Sequence, residues 1–455
     1  MPVQSLSESC RDLYRQGKYK ACLAALGGDA SALPPVERAA VMLVAARVKR
    51  ELLDLPAAVD LLRQVIDLAS QSGDVQAELE AALILHAVQS QIFKSKTRAK
   101  ELSHQSEILL NRVRKLKPAN GSTAENNRYE ALYISALCEL GLTKVYAGDL
   151  ELAAQNLRLA SGRAAEKFGG ESIEMIYPSL YLAIVHALEG KYSLSQVMAR
   201  NATQLVRANY GKHPLVIQPL YRLAQAATKQ SLFQQALDTC RQLEGVIVDH
   251  IGEDNDLYLD TLAMKTAAFK FMVEYQSAEK MAVKRLKLAE SLYGKDDTRL
   301  IDPLCDLAQI LAHLGEREKA EVYFDRALNL VTELARNQGF PEDMATLENF
   351  DPATIDSASR QDDADKLKKE EAAAHLIGNT PGSRLQGASL CHLEYSLIEQ
   401  LSDCYLWQGK LADAARLMPA SMRSKHICKV DNVVSIIEAI NKHLAERARN
   451  LDLPT

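Results

Sequence analysis

Apolar residues recur along most of the chain at three- and four-residue intervals, the spacing that places them on one stripe of an α-helix. Long stretches lack the alternation of β-branched and aromatic residues that marks strands. The apolar stripes come in pairs separated by short polar turns. Five turns line up: Gly148-Asp-Leu-Glu-Leu-Ala153, Gly190-Lys-Tyr-Ser-Leu-Ser195, Ser231-Leu-Phe-Gln-Gln-Ala236, Val273-Glu-Tyr-Gln-Ser-Ala278 and Gly315-Glu-Arg-Glu-Lys-Ala320. A leading glycine supplies the left-handed conformation that ends a helix, and the next polar residue helps open the following one. The small residue five positions on has room for little side chain, as expected where two helices touch.

A second landmark has the same period. Phe168-Gly-Gly-Glu-Ser172, Tyr210-Gly-Lys-His-Pro214, Ile251-Gly-Glu-Asp-Asn255 and Tyr293-Gly-Lys-Asp-Asp297 place Gly169, Gly211, Gly252 and Gly294 at intervals of 42, 41 and 42 residues. Such a period is the signature of stacked structural repeats.

The pattern resembles the tetratricopeptide repeat. Leu140-Gly141, Leu182-Ala183, Leu223-Ala224 and Leu307-Ala308 match its first helix. Ala153, Leu157 and Ala160, then Ala320, Phe324 and Ala327, match the small-large-small pattern of its second. One repeat departs: Lys265 and Thr266 stand in place of Leu-Ala, and Arg285 in place of the last small residue, so looser packing or a shifted register is expected there. The usual unit is about 34 residues. A 42-residue unit with Tyr-Gly-x-Asp/His between copies is similar to the repeats of kinesin light chains, with helices lengthened by roughly two turns in total. HEAT repeats share the period but fit the turn glycines less well. The implied fold is all-α, a right-handed α-solenoid of tetratricopeptide-type helix hairpins.

Residues 126–335 form the regular array, and 1–117 read as degenerate copies. Gly17-Lys-Tyr-Lys-Ala-Cys22 and Leu53-Asp-Leu-Pro-Ala-Ala58 are further turns, and a third pair spans 75–115, hinged near Phe93. A polar loop from Pro118 to Asn127 separates the two parts. Beyond 335 the period breaks. Residues 336–388 read as an acidic, largely disordered insertion with one short helix near 361–376. Residues 389–455 read as a final pair and a capping helix, about 430–449. The insertion carries Phe340, Met344, Leu347 and Phe350 among carboxylates, and could fold back into the repeat groove as a built-in competitor.

Composition narrows the function classes. The formal net charge is −5, unsuited to general binding of nucleic acid or anionic lipid. Eight cysteines without a CxxC pair fit reduced, partly buried thiols. The start of the chain has no charged-then-apolar signal, and no run of 18 apolar residues spans a membrane, so a cytoplasmic protein is expected. No phosphate loop, nucleophile elbow or zincin motif occurs. Cys391-His392 and His426-x-Cys428 lack the second pair a tetrahedral metal site needs. Neither catalysis nor any cofactor or metal is expected.

What the resemblance implies is binding of other proteins. The first helix of each repeat lines the concave side of such a stack. Register then places Tyr146, Tyr181, Ile184, Tyr221, Arg222, Gln225, Lys229, Lys270, Asp306, Gln309 and His313 on or beside a groove for a partner segment. Arg222, Lys229 and Lys270 would give it a basic centre suited to an acidic or extended peptide. The Lys/Asn carboxylate clamp of chaperone-binding members is not visible. The expected role is an adaptor or scaffold subunit. The alternative is a structural component of a large cytoskeletal or ciliary assembly that uses the convex face and ends.

Overall fold

The computed structural model describes residues 6–26, 33–52, 54–92 and 96–337. They form sixteen α-helices and three single 3₁₀ turns, with no strand among them. The chain divides into two compact units, Met1–Glu253 and Asp254–Thr455. The division falls inside the periodic segment. The described residues of both units are built the same way, as all-α stacks of antiparallel tetratricopeptide-type hairpins.

Unit 1 holds six hairpins: α1 (Leu6–Arg15) with α2 (Tyr19–Leu26), α3 (Pro35–Glu51) with α4 (Leu55–Ser72), α5 (Val75–Ile92) with α6 (Lys96–Lys115), α7 (Thr123–Ala147) with α8 (Leu150–Phe168), α9 (Ile176–Leu188) with α10 (Tyr192–Tyr210), and α11 (Ile217–Lys229) with α12 (Phe233–His250). Among its described residues, unit 2 holds α13 (Asp256–Phe271) with α14 (Tyr275–Tyr293) and α15 (Ile301–His313) with α16 (Arg317–Asn337). The anticipated acidic insertion, its short helix, the final pair and the capping helix lie outside the described residues.

The turns explain why the hairpins form where they do. Gly17, Gly148, Gly190 and Gly315 all have positive φ, between 68° and 87°. At each, the next residue's N–H reaches back five residues to close the helix end, as Asp149 does to Lys144 at 3.0 Å. The two copies without glycine adopt the same conformation: Ser231 has φ 59° and Val273 φ 62°. The repeat geometry therefore overrides the local preference of a β-branched residue.

Helix starts are read as cleanly. Ser122 and Glu125 form a reciprocal capping box, so α7 begins at Thr123 and the polar loop is shorter than its composition suggests. Asn255 caps α13 by accepting from the Tyr258 N–H at 2.9 Å. The 42-residue period is accommodated in two places. The second helices α8, α10, α12 and α14 run to 18 or 19 residues. A 3₁₀ turn (Ile173–Met175, Pro214–Val216, Thr298–Leu300) leads into α9, α11 and α15.

Packing follows the small-large-small pattern. Ala153, Leu157 and Ala160 of α8 are fully buried, as are Ala320 and Ala327 of α16 around Phe324. Gly141 sits where a Cβ would lie 2.8 Å from Leu157, so the helices touch backbone to side chain. Each fully buried Leu or Phe here contributes about 1.5–3 kcal/mol relative to exposure. The anomalous hairpin α13–α14 keeps its register: Tyr275–Tyr293 matches Tyr192–Tyr210 in length and turn. Thr266 is buried with its hydroxyl donating to the Leu262 carbonyl at 2.8 Å, and Arg285 is buried by pairing with a carboxylate rather than by loosening the stack.

Candidate functional site

In a stack of this kind the first helices face the side available to a guest. In unit 1 these are α3, α5, α7, α9 and α11, and they are buried far beyond one stripe. α9 is buried at every position except Tyr177, and α7 buries even Glu139 and Lys144. Neighbouring helices supply the cover: Lys144 pairs with Glu107 of α6, and the end of α3 reaches α7 and α9 through Arg50 and Glu51.

The hub is the last turn of α3. Arg50 donates to both carboxylate oxygens of Glu139, at 2.7 and 2.8 Å, and to the Tyr181 hydroxyl at 2.5 Å. Arg47 pairs with Glu80 of α5. Glu51 accepts from three tyrosines: Tyr14 at 2.6 Å, Tyr177 at 2.9 Å, and Tyr19. Fork-to-carboxylate pairing of this kind is strong and directional. Burial, and then the charge of Glu51, push the hydroxyls of Tyr14, Tyr19 and Tyr177 well above their ordinary range, so each remains a donor.

His213 extends the network to the turn before α11. Its Nδ1 accepts from the Leu215 N–H at 3.1 Å, so Nε2 carries the proton and donates to the Tyr14 carbonyl at 2.7 Å. Burial holds this imidazole below its usual pKa, against the opposing pull of the Tyr14 carbonyl and of Glu51.

The residues anticipated for a groove fall into both units. Tyr181 and Ile184 are buried, the former on Arg50. Tyr221, Arg222 and Gln225 are buried on α11, where Arg222 donates to Gln225 at 3.3 Å and lies over the Tyr221 ring. Tyr146 is half-buried and Lys229 exposed. In unit 2, Lys270 donates to Asp306 and to Gln309, both at 3.1 Å. Asp306 also accepts from the buried Arg285 at 2.6 Å. His313 is exposed and stacks on Tyr275, ring centres 4.6 Å apart. Structure thus brings Lys270, Asp306 and Gln309 together on consecutive first helices.

Arg50, Glu51, Glu139, Tyr14, Tyr19, Tyr177 and His213 are absent from the sequence-based set. Their contacts join positions 32 to 199 residues apart, which no repeat register announces. Arg285 does carry a signal, a charged residue at a position that other copies fill with a small one.

Among the described residues, no group of three or more His, Cys, Asp or Glu could hold a metal ion. No described helix is long and apolar enough to cross a membrane.

No protein-family model and no curated protein sequence matches the chain. Solved structures with a similar chain path include a kinesin-light-chain-type protein of Podosopora anserina with nearly identical TPR-like repeats, at 14% identity over 46% of this chain and 98% of that one, TM-score 0.40. A Rap protein complexed with competence and sporulation factor is similar at 12% identity over 90% of this chain and 99% of that one, TM-score 0.47. The apo quorum sensor NprR of B. thuringiensis is similar at 15% identity over 84% and 99% of the two chains, TM-score 0.42.

Proposed function

We propose that the protein is a non-enzymatic adaptor or scaffold subunit that holds a segment of another protein on the first-helix side of unit 2. The observation that carries this reading is the Lys270–Asp306–Gln309 cluster. It spans α13 and α15, is half-buried rather than sealed, and leaves hydrogen-bonding capacity over. A lysine ammonium has three donors, of which two are used here, and the Gln309 amide has two more. Carbonyl or carboxylate oxygens of an extended segment would find donors there. The buried Arg285 holds Asp306 in place from beneath. A cytoplasmic location belongs to the same reading.

Affinity purification of the full chain with mass spectrometry tests it. Lys270→Ala with Gln309→Ala removes the donors while Asp306 keeps Arg285, so the stack stays folded. Loss of the wild-type partners is expected; an unchanged partner set would reject this surface.

A second reading has its own observation. Leu152, Leu159, Leu194 and Val197 on the second helices α8 and α10 are 44 to 53% exposed. Contiguous exposed apolar residues mark contact surfaces in assemblies. A structural component of a cytoskeletal or ciliary complex would use that outer side. Leu194→Glu with Val197→Glu would then be the variant that loses partners.

A further inference from the structure

The α1–α2 hairpin is the smallest in unit 1, ten residues against eight. Cys10, Tyr19 and Cys22 pack it on Val41, Val44 and Val48 of α3. Its tip reaches much farther along the chain. Gly17 stands at φ +68°, and a Cβ there would lie 2.9 Å from the Cδ of Pro214. The turn is therefore pressed against the residues that lead into α11.

The interface at the tip is aromatic and polar. The Tyr14 and Tyr19 rings stack, 5.6 Å between centres, and both meet the edge of His213, which lies on Tyr210 at 4.8 Å. The hydrogen bonds are those from Tyr14 and Tyr19 to Glu51 and from His213 to the Tyr14 carbonyl. Hydroxyl-to-carboxylate bonds are ones that water, or another hydroxyl donor, can replace at modest net cost. Hairpins with long buried apolar seams, such as α7–α8, have no such option. A short hairpin whose apolar seam is confined to one face of α3 and whose tip is held by replaceable bonds opens below the energy of global unfolding.

We infer that the α1–α2 hairpin is a detachable clasp over a concealed docking surface, formed by Glu51, Tyr177, Tyr210, His213 and Pro214, whose competing ligand is a turn-forming segment bearing paired tyrosines. The resident segment, Asp12-Leu-Tyr-Arg-Gln-Gly-Lys-Tyr19, shows the chemistry the surface accepts: two phenol donors about a tight glycine turn, directed at one carboxylate. A partner presenting the same pair of donors closes the same surface in trans while the hairpin is out. The surface lies in unit 1 and the Lys270 cluster in unit 2, so either can fail without the other.

Buried thiols make the clasp measurable. Cys10 and Cys22 belong to the hairpin and are sealed between it and α3; Cys138 and Cys240 are sealed in α7 and α12 and serve as internal references. Thiol labelling of the native full chain is expected to modify Cys10 and Cys22 at least ten times faster than Cys138 and Cys240. Tyr14→Phe with Tyr19→Phe removes both bonds to Glu51 and keeps the rings, and is expected to raise the Cys10 and Cys22 rates by about a hundredfold or more, in line with the usual worth of two hydrogen bonds to a charged group, with the reference rates unmoved. A synthetic peptide of residues 11–21 is expected to accelerate labelling of Cys10 and Cys22, and its Tyr→Phe version to do so far less. A single rate for all four cysteines, or no response to the peptide, would overturn the clasp.

Discussion

Arg50 and Glu139 form a buried ion pair that is costly to break from one side. Their side chains are 12% and 6% exposed, so removing one leaves a buried charge without its counterion. Arg50→Ala should cost about 3–5 kcal/mol in urea unfolding, whereas Arg50→Met with Glu139→Leu should cost much less, because both charges leave together. Gly141→Ala places a methyl against Leu157 and should cost about 1–3 kcal/mol in the same measurement. Val273 is the converse case: it is 68% exposed and holds a left-handed conformation that suits glycine. Val273→Gly should stabilise unit 2 by about 1 kcal/mol, read as a raised melting temperature. Turn glycines and small contact residues are legible in the sequence because local geometry allows little else at those positions. Arg285 is legible only as an anomaly, since its partner Asp306 lies on the next hairpin.

Helices that an amphipathic reading treats as one-sided differ in how much they bury. α5 and α7 carry apolar residues around most of their circumference and are covered on most sides, so their polar residues are held inside. His86 of α5 shows the consequence. Burial first, and the nearby charge of Arg98 second, lower its pKa from 6.5 to about 4. The folded state therefore resists a proton that the unfolded state accepts. Stability from this source is complete above pH 6.5 and is lost as pH falls toward 4, by at most about 3 kcal/mol. His213, shifted in the same direction, adds to the same acid limb. Urea unfolding between pH 7 and pH 4 should show the decline, and His86→Gln should flatten it. The period predicted the hairpins, their order and the turn positions. It could not predict that the second helices would lengthen while 3₁₀ turns lead into the first ones, because both choices add the same number of residues.

The described residues of the two units share one architecture, and their first helices are covered differently. In unit 1 Arg50 and Glu51 of α3 reach α7 and α9, and Tyr14 of α1 meets His213 before α11. In unit 2 the first helices present Lys270, Asp306 and Gln309. The groove residues were assigned by register alone, and register is blind to a chain that folds back on its own repeats; this is why Tyr181 proves to serve Arg50. A formal net charge of −5 suits a polyanionic partner poorly. Hydrogen–deuterium exchange of the full chain, alone and with a captured partner, tests the proposed use of unit 2 most directly. Slowed exchange concentrated in α13 and α15, around Lys270 and Asp306–Gln309, is the expected result; slowing confined to α8 and α10, or absent from every helix, would contradict it.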